Sequence, residues 1–232
     1  MQFYALLEEW SGESIAFFRE LPGCFVSAPT TEDALRDAPA TIEQYFRWLK
    51  ENHIVIVEDE IHPIEVVLSE RLSSNGNAGP LFQADLAAPD DLEIDNALNV
   101  AATARALIIE MVANTPEHLC KQAPASAGWS LTRHLQHIME NENWYVSQLT
   151  EQPAPEQTTP SMTTDEISMK IFENAMDSEI LLRDLTPEQR TQVFVHDGEA
   201  WTAAKVLRRM AQHLREHYPW MQAIIEQVTV NK

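Results

Sequence analysis

Cysteine is scarce in this 232-residue chain: Cys24 and Cys120 are the only two. They lie in different parts of the sequence and show no CxxC or zinc-finger spacing. That excludes a disulfide framework and points to free thiols in a reducing compartment. Basic residues are also few, with 16 Lys and Arg against 36 Asp and Glu for a formal charge of −20. The deficit is even, since residues 1–85 hold 5 basic and 15 acidic residues and residues 86–232 hold 11 and 21. Such a surface repels phosphate backbones, so nucleic-acid binding is disfavoured and solubility is the plain consequence. No stretch approaches ~18 consecutive apolar residues, so no membrane span is expected. The first residues, MQFYALLEEW, carry acids early and lack a basic segment before a long apolar run, unlike a signal peptide. The chain therefore reads as cytoplasmic. No repeat of solenoid period is visible.

What is present divides into two textures. Apolar residues make up 44% of the chain, enough for a real core in one large or two small domains. Residues 2–8 (QFYALLE) and 14–20 (SIAFFRE) are short, aromatic and β-prone, and flank Ser11–Gly12, a turn signal. LPGCFVS adds a Pro–Gly break and a third strand. Then Ala34, Ala38, Ile42, Tyr45, Phe46 and Leu49 recur at helical spacing behind Thr30 or Thr31 as cap. Pro39 falls inside that helix and predicts either a kink or a shorter helix. IVIVEDEIHPIEVVLSERL is β-branched and strand-like, completing the order β-β-β-α-β. SSNGNAGP (73–80) reads as a turn or loop. From about Leu92 onward the pattern is helical, with helices expected at 91–113, 130–150, 163–184 and 201–228. Ser130, Thr163 or Thr164, and Thr202 stand at the expected starts. Segments 151–161 and 186–200 read as loops. The expected architecture is α+β: a small sheet-plus-helix domain over 1–85, then an all-α four-helix bundle over 86–232.

Three histidines dominate the chemistry. His213 and His217 sit at i, i+4 on the last helix, sharing a stripe with Val206, Met210, Met221 and Ile224. Two adjacent imidazoles facing a core are costly unless their nitrogens find partners, and a divalent metal is such a partner. His134 and His137 lie at i, i+3 on the second bundle helix. His137 sits beside the Leu131, Leu135, Ile138 stripe, from which it could reach the last helix. His134 is a further ligand, a partner of a ligand, or an exposed residue, and the exposed reading is favoured.

The run Trp129-Ser130-x-x-x-x-Leu135-x-His137-Ile138, the pair Trp144-Tyr145, Trp201-Thr202, and His213-x-x-x-His217 resemble the DinB/YfiT-like metal-binding bundles. Thr115-Pro116-Glu117-His118-Leu119 resembles the family's turn after its first helix. The resemblance covers about residues 90–228. It implies that His137, His213 and His217 hold a divalent metal, zinc or nickel, with water completing the shell. Glu216 stands where family members often have a further histidine. Relatives include thiol-dependent transferases and isomerases using low-molecular-weight thiols, and amide hydrolases. Such bundles often pair, so a homodimer is possible.

Three neutral imidazoles would leave a metal its full double charge, which activates a water or a thiol. Glu140, Asn141 and Glu216 are candidate bases by proximity alone, each more simply an exposed helical polar residue. The segment FFRELPGCFVSAPTTEDALRDAPATIEQYFRWL is similar to the HicB antitoxin-like domain through Leu21, Pro22, Gly23, Cys24, Thr31, Ala34 and Leu35. That resemblance covers about residues 1–70 and implies a small sheet packed on a helix, serving a protein partner, dimerisation or ligand sensing, with Cys24 structural. Two functions follow as expectations. One is a metal-dependent enzyme, a thiol-dependent transferase or hydrolase acting on a small molecule. The other is a binding or regulatory protein whose bundle is a metal-stabilised scaffold. A bundle whose histidines are satisfied without metal is the remaining reading.

Overall fold

The computed structural model describes residues 1–10, 12–56, 63–74, 79–124, 128–153 and 162–230. The fold is α+β, as expected. Strands β1 (Gln2–Trp10), β2 (Glu13–Phe18) and β3 (Phe25–Ala28) form an antiparallel meander. Helix α1 (Thr31–Glu51) then crosses over to β4 (Glu65–Ser73), which pairs parallel to β1, giving the order β3-β2-β1-β4. Parallel pairing requires such a crossover, because two parallel strands cannot be joined by a tight turn. The strand expected across IVIVEDEIHPIEVVLSERL begins only at Glu65, and residues 57–62 lie outside the described set.

Thr30 caps α1 by accepting from the Asp33 amide, and Ala34, Ala38, Ile42, Tyr45 and Leu49 are buried against the sheet. The helix runs unbroken through Pro39. Proline removes one helical hydrogen bond there, a cost of about 3 kcal/mol, which the buried apolar stripe outweighs. Between β2 and β3 the Leu21-Pro22-Gly23-Cys24 turn has Gly23 at φ +74°. A Cβ at Gly23 would lie 2.9 Å from Val100 Cγ1, 3.1 Å from Arg215 Cγ and 3.2 Å from the Ala211 carbonyl. Only glycine meets both the left-handed backbone and this approach to the helices that follow. Cys24 is buried beside it, and burial pushes its thiol up to about 12, an inert structural thiol as expected.

A short 3₁₀ turn (Gln83–Leu86) leads into the helical region. Its long helices are α2 (Asp91–Ala113), α4 (Leu131–Ser147), α5 (Thr164–Arg183) and α7 (Ala203–Val230). Each begins and ends within a few residues of its expected bounds. Ser130 caps α4, Thr163 rather than Thr164 caps α5, and the Thr202 hydroxyl accepts from the Lys205 amide. Helix α2 packs on α5 and α7, and α4 packs on the same two, closing a four-helix bundle. Helix α3 (Glu117–Cys120) fills the turn after α2. By length and composition alone α2 is long and apolar enough to cross a membrane, although its apolar residues are not continuous. It also carries Asp91, Glu93, Asp95, Arg105 and Glu110, and Ile94, Leu98, Ala101, Ala104 and Ile108 are buried inside the protein, as in a core helix.

The segment 186–200, expected as a loop, is more ordered. It forms helix α6 (Pro187–Thr191) and a hairpin of β5 (Phe194–His196) and β6 (Glu199–Trp201). Asp197 and Gly198 both have positive φ, as a two-residue hairpin turn twisted to match its strands requires. The Asp-Gly pair was the missed signal. Of the loop expected at 151–161, residues 154–161 lie outside the described set.

Helix α7 is shared between the sheet and the bundle. Lys205, Arg208, Arg209, Gln212 and Glu216 form one stripe, and it meets the sheet side. Arg208 donates to Asp85 from Nε (3.2 Å) and Nη2 (2.7 Å), and Arg209 Nη1 lies 3.5 Å from Glu8 Oε2. Lys205, 1% exposed, donates to the carbonyls of Gly79 (2.8 Å) and Ala200 (2.9 Å). Arg215 stacks on Trp48 of α1 at 3.9 Å. The stripe of Val206, Met210, His213, His217, Met221 and Ile224 faces the bundle and is buried throughout.

Candidate metal centre

The centre is built by α4 and α7, which pack together. Helical spacing puts His213 and His217 one turn apart, their ring centroids 4.4 Å from each other. From α4, His137 comes within 4.9 Å of the His213 ring and 5.2 Å of the His217 ring. One ligand atom from each of these three side chains can be chosen so that all lie within 4.8 Å of one another. His213 and His217 are buried and His137 half-buried. His213 Nε2 is buried and has no hydrogen-bond partner. An orphaned buried nitrogen is costly, and a cation at the centre of the three rings would relieve it. The donor set fits a divalent ion that accepts neutral imidazole.

His134 differs from the favoured expectation. It is 7% exposed, and its Nδ1 lies 2.8 Å from Nδ1 of His217. The signal was present in the sequence. His134 is i, i+4 to Ile138 and three residues after Leu131, so it belongs to the apolar stripe itself, more centrally than His137. Glu216 also differs. It lies at the seam with the sheet, taking a hydrogen bond from Gln212 (3.3 Å) among the charges of Arg209, Glu8 and Glu13. Burial pushes its carboxyl up to about 7. Glu140 pairs with Arg133 (3.3 Å) and is a charge felt by His137. Asn141 donates from Nδ2 to the His137 carbonyl (2.9 Å) and lies 2.9 Å from His137 Nδ1. The same amide nitrogen lies 3.2 Å from His137 Nε2, so Asn141 packs against the edge of the His137 ring.

Two half-exposed tryptophans flank the rings. Trp129 stands edge-on to His134 (5.2 Å) and His137 (5.0 Å), and Trp220 to His217 (5.3 Å). The Arg133 guanidinium lies 4.9 Å over Trp129. On the buried side, Tyr145 packs on His213 at 5.8 Å and bonds Arg209. The cluster thus has an inner wall tied to the sheet and an aromatic outer rim.

Burial, with neighbouring imidazoles, lowers His217 to about 3 and His134 to about 4, and drives His213 well down. These rings are neutral when folded, while unfolded histidine takes a proton near pH 6.5. The unfolded state therefore binds more protons below that pH, and stability rises with pH across the window. Their contribution is whole above about 6.5 and is lost as pH falls toward 4 and then 3. The metal-free protein should accordingly melt at progressively lower temperature as pH drops from 7 to 4. Ring carbon shifts of His134, His213 and His217 in NMR should stay those of neutral imidazole at pH 5. Protonated shifts at pH 5 would contradict the buried geometry.

The sequence matches no family model and no curated protein. Among solved structures the fold is similar to YfiT from Bacillus subtilis, described as a probable metal-dependent hydrolase with an unusual four-helix bundle topology. That alignment has a TM-score of 0.52 at 18% identity, covering 61% of this chain and 90% of the other. Two structures of a mycothiol-dependent maleylpyruvate isomerase, one of them a histidine-to-alanine mutant, align at TM-scores of 0.44 and 0.45 with 11% identity, over 54% of this chain and 59% of theirs. At these identities the likeness to YfiT is one of fold, and this chain carries a four-helix bundle similar to that structure's.

Proposed function

We propose that the protein is a metal-dependent hydrolase of a small molecule, with His137, His213 and His217 as the metal ligands. The observation that carries this reading is the convergence of three imidazoles from two helices, one with an orphaned buried nitrogen. Three protein ligands leave a position open, the usual mark of a catalytic rather than a structural site. A zinc or nickel ion bound there would supply a Lewis-acid charge for polarising a carbonyl or activating a nucleophile. The protein's own groups hold the site. Tyr145 and the apolar stripe back the rings, Trp129 and Trp220 form their half-exposed edge, and Glu140, whose charge acts on His137, is the candidate proton acceptor. The fold shared with a probable metal-dependent hydrolase supports the same reading. A thiol in place of water would make the same centre a thiol-dependent transferase.

The test compares metal-stripped with zinc- or nickel-reloaded protein against amides, esters and thiol conjugates. Turnover should appear on reloading and be absent in His137→Ala and His217→Ala. Metal-loaded protein that turns over none of these, yet retains a protein partner through residues 1–85, would favour the regulatory reading.

A further inference from the structure

We infer that His134 is a positioning residue of the metal centre, accepting the Nδ1 proton of His217 and so holding His217 in the tautomer whose Nε2 is free to bind a metal. The inference rests on the proposed three-histidine site and deepens it. The two Nδ1 atoms are 2.8 Å apart, a hydrogen-bond distance, on rings 7% and 2% exposed. At that separation two lone pairs repel and two N–H groups collide, so one proton lies between them. Each neutral imidazole carries one proton, which leaves two arrangements. If His134 donates, His217 keeps its proton on Nε2 and has no lone pair for an ion. If His217 donates, its Nε2 is bare and His134 carries its own proton on Nε2. Only the second lets His217 act as a ligand, and it is how partners of metal-bound imidazoles commonly fix orientation and basicity. The packing holds the acceptor in place. Trp129 meets His134 edge-on at 5.2 Å, Trp220 lies 6.4 Å away, and the His134 and His217 rings are T-shaped at 5.0 Å.

The test measures zinc affinity by competition with a chromophoric chelator, and the visible spectrum of the cobalt-loaded protein. His134→Asn keeps an acceptor near the Nδ1 position, whereas His134→Phe keeps the ring volume and removes it. The Phe variant should bind zinc about 10- to 100-fold more weakly, still at one equivalent and with the wild-type cobalt band shape. The Asn variant should recover most of that loss. Should the Phe variant fail to fold, judged by the melting of the metal-free protein, His134→Gln removes the Nδ1 acceptor and takes its place. Equal affinity in wild type and Phe would overturn the inference while leaving the three-histidine site standing. A cobalt spectrum altered equally in Phe and Asn would make His134 a ligand instead, which also overturns it. If the wild-type protein takes up no metal, the proposed function fails with it.

Discussion

Replacing Arg105 with alanine should destabilise the protein by about 3–5 kcal/mol, the usual cost of stripping one partner from a buried ion pair. Arg105 on α2 and Glu142 on α4 are 5% and 2% exposed. The Arg105 Nε donates to Glu142 Oε1 at 2.8 Å, Nη2 donates to the same oxygen, and Nη1 lies 3.6 Å from Glu179 on α5. One residue thus ties three helices. Burial already raises the Glu142 carboxyl against the pull of Arg105, and its Oε2 has no partner. Without the guanidinium, Glu142 would be an uncompensated charge in the core. The penalty should therefore ease as pH is lowered and Glu142 takes up a proton. The double variant Arg105→Met/Glu142→Leu removes both charges and should lose far less than Arg105→Ala alone. Urea denaturation midpoints decide this. An Arg105→Ala loss below about 1 kcal/mol, the level of a surface pair, would mean that the pair is hydrated.

Adding zinc should raise the melting temperature of the wild-type protein and leave His213→Ala unmoved. At a free concentration about 1000-fold above Kd, a ligand binding only the native state adds about 4 kcal/mol. For a chain of this length that is roughly 8–16 °C. His213 is the decisive position. Its ring touches those of both His137 and His217, it is 8% exposed, and its Nε2 is the orphaned atom. Elemental analysis of protein purified without a histidine tag should find about one equivalent of metal in the wild type and none in the variant. Wild-type protein that melts at one temperature with and without zinc would mean that the imidazoles are satisfied without an ion.

Much of the centre was legible beforehand because its signals are local. The i, i+4 spacing of His213 and His217 and the apolar stripe around them depend only on helical geometry, so their burial followed directly. Placing His137 with them drew on a resemblance as well as on its position beside the α4 stripe. His134 was misread because its place on that stripe was weighed less than its polarity. Glu216 was misread for a different reason. One residue from His217 in sequence means about 100° around a helix, and that rotation turns it toward Glu8 and Arg209 at the sheet.

By itself the sequence determined the α+β class, the order of the N-terminal strands and helix, the succession and bounds of the four long helices, and the face on which the paired histidines lie. These are set by side-chain periodicity, capping residues and turn chemistry within a few residues of each position. Only the tertiary structure decided which faces meet. It set the Leu-Pro-Gly-Cys turn against α2 and α7 through Gly23, joined Arg105 to Glu142, and brought His134 within a hydrogen bond of His217. Those contacts join residues at least 37 positions apart in sequence. No local pattern encodes them, because their geometry comes from how whole helices pack against one another and the sheet.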